Sequence, residues 1–68
     1  MTQAERIVKY MQDYGSISTL EAFEDLGITR LASRIHDLSR LGLDIDRESV
    51  TAKNRYGETV HYTRYKLA

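Results

Sequence analysis

Three glycines, Gly15, Gly27 and Gly42, divide the first part of the chain into three stretches of helical apolar period, and beyond Gly42 the period changes to two. A helix that stops at a residue tolerating a left-handed backbone does not run on into the next. The chain is therefore confined to short helices followed by strands. It has 68 residues and no cysteine, so one hydrophobic core must hold it without a disulfide or a thiolate metal site, and an intracellular protein is expected. No apolar run approaches a bilayer span, and no signal-peptide pattern opens the sequence. A soluble protein of one domain over residues 1–68 is expected.

Thr2-Gln3-Ala4-Glu5 matches a capping box and predicts a helix over about 3–14, with Ala4, Ile7, Val8 and Met11 on its apolar side. Tyr10 and Tyr14, one turn apart, are expected to flank the core with their hydroxyls in water. Ser18-Thr19-Leu20-Glu21 is a second capping box. It predicts a helix over about 19–26, with Leu20, Ala22, Phe23 and Leu26 inward and Glu21, Glu24 and Asp25 in solvent. Between the two, Ser16-Ile17 is suited to add a short third strand to a sheet formed later. Gly27-Ile28-Thr29 leaves only a tight turn before a third helix over about 30–41, with Thr29 as its N-cap. Stepping about 100° per residue from Ile35 puts Leu31, Ala32 and Leu38 on the buried side and Arg30, Ser33, Asp37 and Arg40 opposite, with Arg34 and His36 on the flanks.

Strands are predicted over about 43–53 and 58–67 around a loop at Asn54-Arg55-Tyr56, with Gly57 in the left-handed position of a bulged turn. This register opposes Leu43 to Leu67, Ile45 to Tyr65, Asp44 to Lys66, Asp46 to Arg64 and Val50 to Val60, so that apolar meets apolar and acid meets base. Leu43, Ile45, Tyr65 and Leu67 then face the helices. Asp44, Asp46, Glu48, Tyr62, Arg64 and Lys66 face outward, and His61 belongs to the inner face near its distal end.

Helix, short helix, tight turn, third helix and hairpin is the order of a winged helix-turn-helix domain, an α+β fold whose hairpin is the wing. The chain also resembles a small family of helix-turn-helix domains found in bacteriophages and prophages. The resemblance lies in Gln3-Ala4-Glu5-Arg6-Ile7, Ser16-Ile17-Ser18-Thr19-Leu20-Glu21-Ala22, Leu31-Ala32-Ser33-Arg34-Ile35-His36-Asp37-Leu38 and Arg64-Tyr65-Lys66-Leu67. It covers nearly the full length. It implies this fold and a DNA-binding role, but no operator, target gene or pathway; a small phage or prophage regulatory protein, at work on transcription in the cytoplasm of a bacterial host cell, is the expectation.

Charge supports a division of labour. The formal net charge is zero, which lacks the basic excess usual in nucleic-acid binders. Yet Met1 to Thr29 sums to −3 and Arg30 to Ala68 to +3, so the sign reverses where the third helix begins. A helix fits the major groove of double-stranded DNA, where side chains near its N-terminal end reach base edges. Thr29, Arg30, Ser33 and Arg34 hold that end: the arginines are candidates for guanine, and Ser33 for base or phosphate. Arg40 is placed to meet a phosphate. Asp37 either accepts from a cytosine amino group or pairs with Arg34 or Arg40 to orient them. Lys53 and Arg55 at the wing tip either contact the backbone or minor groove or simply keep the sheet end soluble. Arg64 and Lys66 are neutralised by their cross-strand acids. Tyr56 stacks or finishes the turn.

Catalysis lacks an inventory: there is no cysteine nucleophile and no glycine-rich phosphate loop, and His36 and His61 stand on different elements. No catalytic residue, metal site or cofactor is expected. The competing reading is a winged helix that binds a protein, such as a host factor, and not DNA; acidic helix 2 and the apolar Val50, Val60 and Tyr62 favour it. The outer hairpin face is also a candidate homodimer contact.

Overall fold

Both capping boxes form in the computed structural model, which describes residues 1–68. In helix α1 (Gln3–Tyr14) Thr2 Oγ1 accepts from the Glu5 amide and Glu5 Oε1 accepts from the Thr2 amide, each at 3.1 Å. Helix α2 (Thr19–Leu26) opens with the same exchange between Ser18 and Glu21. Helix α3 (Leu31–Arg40) begins one residue later than the sequence predicts. Thr29 does not cap it: Arg30 holds the N-cap position, and no side chain accepts from the first turn. The physical reason is Ile28, which is only 1% exposed. Its amide donates to the Ala22 carbonyl at 3.0 Å, and burying its side chain directly after Gly27 delays the helical backbone until Leu31. At the far end the Leu43 amide donates to Leu38 and the Gly42 amide to Ser39, with Gly42 at φ 99°, a Schellman closure. That use of Leu43 keeps it out of the hairpin, whose first strand starts at Ile45.

Strands β1 (Ile17–Ser18), β2 (Ile45–Lys53) and β3 (Thr59–Leu67) form an antiparallel sheet in the order β1-β3-β2. The short third strand exists, one residue further along than Ser16-Ile17, with Ile17 opposite Tyr65 and Ser18 opposite Arg64. The hairpin register differs from the predicted one by two residues: Ile45 faces Leu67, Asp46 faces Lys66, Arg47 faces Tyr65, Glu48 faces Arg64, Val50 faces Tyr62 and Ala52 faces Val60. The loop is the cause. Gly57, at φ 77°, is the last residue inside the loop, not the first beyond it, and the Asn54 amide donates to the Glu58 carbonyl at 3.0 Å to close the ladder. Asn54 Oδ1 also accepts from the amides of Tyr56 and Glu58, which latches that geometry. A two-residue shift preserves the alternation of faces, so Ile45, Tyr65 and Leu67 still turn toward the helices while every charge partner changes.

Ile7, Met11, Ile17, Ile28, Leu31 and Ile35 are fully enclosed, joined by Tyr10, Ala22, Leu38 and Tyr65. The apolar face predicted for the second helix is not its buried face: Leu20 and Phe23 are 63% and 57% exposed, and the helix seats itself through Ala22 and the half-buried Leu26. The third helix is also rolled relative to prediction. Ala32 is exposed while Ser33 and Arg34 are half-buried, because methyl-sized Ala32 offers little area to bury and the aliphatic stem of Arg34 can cover the core edge instead. From Asp46 to Tyr62 every residue but Val50 is exposed, His61 included, so the wing projects from the body and the molecule measures 39 × 22 × 21 Å. Helix α3 rests on α1 and α2, and β3 packs on the same two helices.

The Tyr10 hydroxyl is not free in water. It donates to Asp25 Oδ2 at 2.6 Å, fastening α1 to α2, so Asp25 is not simply a solvent-facing acid. That bond raises the Tyr10 phenol from near 10 to about 12, with desolvation adding to it. The unfolded chain loses this proton near pH 10 while the native state keeps it. Stability is therefore fully present below pH 10 and falls as pH rises from there toward about 12. Urea titrations of wild type and Tyr10→Phe on either side of pH 10 should show a steeper alkaline loss in wild type; parallel losses would rule out this role for the bond.

Candidate nucleic-acid interface

The sequence-predicted residues form two groups in space. Thr29 and Arg30 are exposed in the turn that leads into α3, Ser33 and Arg34 follow half-buried in its first turn, and Asp37 and Arg40 are exposed farther along. Lys53 and Arg55 stand apart at the exposed wing tip. Lys53 Nζ donates to Thr59 Oγ1 at 2.9 Å, whereas Arg55 has no ion-pair partner. Between α2 and the wing lies a groove of about 740 Å³ in which Thr29 lines one wall and Ala52 and Tyr62 of the wing another; Lys53 and Arg55 are not part of its lining.

At the N-terminal end of α3 the geometry suits an anion or a base edge. With no side-chain cap, the first-turn amides remain available, and the helix dipole adds to the positive charge of Arg30 and Arg34 there. Asp37 pairs with Arg34 through Nη1 and Oδ2 at 3.3 Å. The Nε of Arg34 is buried without a partner. The guanidinium is thus held by its stem and one edge, with the side chain 39% exposed. Arg40 completes the last turn of the helix.

Two cations of the sheet are occupied, though not by the predicted acids. Arg64 Nη1 donates to Glu21 Oε1 at 2.8 Å and to Ser16 Oγ at 3.0 Å, so it ties the wing base to α2 and takes Glu21 out of the solvent-facing set. Lys66 pairs with Glu48 at 3.3 Å. Arg64 and Lys66 pair with neither Asp46 nor Asp44: the shifted register sets Glu48 opposite Arg64 and Asp46 opposite Lys66, yet Arg64 turns to Glu21 and Lys66 reaches diagonally to Glu48.

Residues outside the predicted DNA-binding set complete the picture. Ala32 and His36 lie on the exposed side of α3 with Arg40. Leu20, Phe23 and Tyr62 line the groove. A leucine or phenylalanine at helical spacing carries the same signal whether its helix is seated on that side or another, so nothing local marks these as exposed. No group of three or more His, Asp or Glu side chains converges as metal ligands, and no helix is long and apolar enough to cross a membrane.

No curated protein and no solved structure matches the chain significantly. A family model described as a winged helix-turn-helix domain matches residues 2–68. Three helices with a tight turn before α3, followed by a hairpin on a short third strand, are the architecture that description names, and the match runs through all of them: the chain belongs to the winged helix-turn-helix domain family, which points to DNA as its partner.

Proposed function

We propose that the protein binds double-stranded DNA sequence-specifically, with α3 in the major groove and the wing tip on the backbone, as a small regulator of phage or prophage type in the bacterial cytoplasm. The observation that carries this reading is the exposed, uncapped and basic N-terminal end of α3. Arg30 and Arg34 read guanine; Ser33 takes a base or a phosphate; Thr29 and the free amides take a phosphate. Asp37 orients Arg34 through their ion pair. Arg40, Lys53 and Arg55 meet the backbone.

With zero net charge, long-range attraction contributes little, and affinity rests on these short-range contacts. Three to five neutralised phosphates imply that log K falls against log salt with a slope of roughly −3 to −4.5. A nuclear magnetic resonance titration with a mixed-sequence duplex at two salt concentrations tests this. Shifts should concentrate at residues 29–37 and at the wing tip and weaken steeply with salt. Absence of binding to any duplex, or a flat salt response, would defeat the proposal. The alternative, a protein-binding winged helix, draws support from exposed Leu20, Phe23 and Tyr62 around one groove. Under that reading a protein ligand perturbs those residues and the duplex perturbs none.

A further inference from the structure

We propose that the groove between α2 and the wing receives the wing tip of a second copy of this chain, reciprocally, to make a two-fold dimer. The groove is apolar at its centre. Leu20, Phe23, Ala52 and Tyr62 line it, with Leu20, Phe23 and Tyr62 exposed by 63%, 57% and 37%. Its one cation, Arg64, is consumed by Glu21 and Ser16. A phosphate would therefore find no free charge there, and an aromatic or aliphatic occupant fits.

The chain carries such an occupant at the far end of the wing. Tyr56, at the wing tip, is 85% exposed, the largest exposure among the bulky apolar side chains. Its loop is already rigid, because Asn54 Oδ1 accepts from the Tyr56 and Glu58 amides at 2.9 and 3.0 Å. Little conformational freedom is then lost when the tip is seated.

Spacing makes the arrangement reciprocal. Val50, Ala52, Val60 and Tyr62 share one face of the wing, with Ala52 opposite Val60. Tyr56 lies four residues beyond Ala52, and Arg64, which touches α2 through Glu21, lies four residues behind Val60. At a strand rise of about 3.3 Å per residue, Arg64 is roughly 13 Å from the Ala52–Val60 pair on one side, and on the other two ladder steps plus the turn carry Tyr56 about 10 Å from it. A two-fold axis through that pair lays each tip over the partner's α2 and each apolar strip over its equivalent.

Charge agrees with the same axis. Arg55, beside Tyr56, has no ion-pair partner, and Glu24, one turn after Leu20 on the exposed side of α2, has none either. The axis brings Arg55 of one copy to the acidic helix of the other. Of the acids on this wing face, Glu58 is held by Asn54 Nδ2 at 3.2 Å and Glu48, nearer the base, by Lys66 Nζ at 3.3 Å, and zero net charge removes long-range repulsion between copies. In the dimer the wing's backbone contact passes from Arg55 to Lys53, whose side chain lies on the opposite face.

Sedimentation of the DNA-free protein over a wide concentration range tests this independently of DNA binding. Wild type should pass from monomer to dimer. Phe23→Ser and Tyr56→Ser, both at exposed positions and checked for unchanged thermal melting, should each raise the dimer Kd by about tenfold or more. Glu24→Arg and Arg55→Glu should each weaken the dimer, and the double charge exchange should restore it. A monomer at every concentration, a dimer indifferent to both serine variants, or a double exchange without rescue overturns the proposal.

Discussion

Ile35→Ala is expected to leave the chain largely unfolded at room temperature. Ile35 is 0% exposed, at the centre of the α3 face that contacts α1 and α2. Truncating a buried aliphatic of this size costs about 2–5 kcal/mol, the transfer term plus the cavity left behind. Against this, a core in a chain below about 70–80 residues rarely supplies more than about 3–5 kcal/mol of net stability. The two ranges overlap, and without disulfides or metal nothing else makes up the difference. Circular dichroism during urea titration would show a collapsed or absent folded baseline. Ile35→Val, at about 0.5–1.5 kcal/mol, should remain folded with a lowered midpoint. A cooperative wild-type transition in Ile35→Ala would mean that the cavity collapses without loss, and the packing of α3 described above would be wrong.

Arg34→Ala is expected to do the reverse, sparing the fold while weakening the duplex. A bidentate arginine–guanine contact discriminates by about 1–3 kcal/mol, or roughly 5- to 150-fold. Most of the stability should remain, because the ion pair with Asp37 is half-exposed, surface pairs are worth about 0–1 kcal/mol, and the packing lost is the cover of the aliphatic stem at the core edge alone. Its buried, unpartnered Nε costs the native state, so removing it relieves a penalty. Arg34→Lys should not rescue, since an ammonium cannot present two parallel donors. Fluorescence anisotropy with matched and mismatched duplexes, beside thermal melts, separates the two effects. Equal affinity for Arg34→Ala would remove this residue from the proposed site.

What could be read from the residues alone was whatever neighbours along the chain decide among themselves. Thr2 with Glu5 and Ser18 with Glu21 close capping boxes three residues apart, and Gly15, Gly27 and Gly42 end helices by backbone freedom. These interactions need no distant partner, so the α+β order and the wing are legible without a structure. Of the candidate site, the sequence carries only its local features. The charge reversal at Arg30 marks α3 as the basic element, and the i, i+3 spacing of Arg34 and Asp37 is intrinsic to a helix.

The tertiary structure alone decided how each element is turned about its own axis and which distant residue it meets. Ile28, read as a turn residue, is drawn into the core, while Phe23 and Ala32 are left outside. Periodicity marks an apolar side but cannot say how competing side chains share one small interior. Arg64 finds Glu21, forty-three positions away in the chain, although the observed register sets Glu48 across the strand from it, because the folded wing base brings Glu21 and Ser16 within reach of the same guanidinium nitrogen. Local chemistry thus determined what the elements are. Their roll, register and remaining exposed surface came from competition for the core, which only the assembled chain resolves.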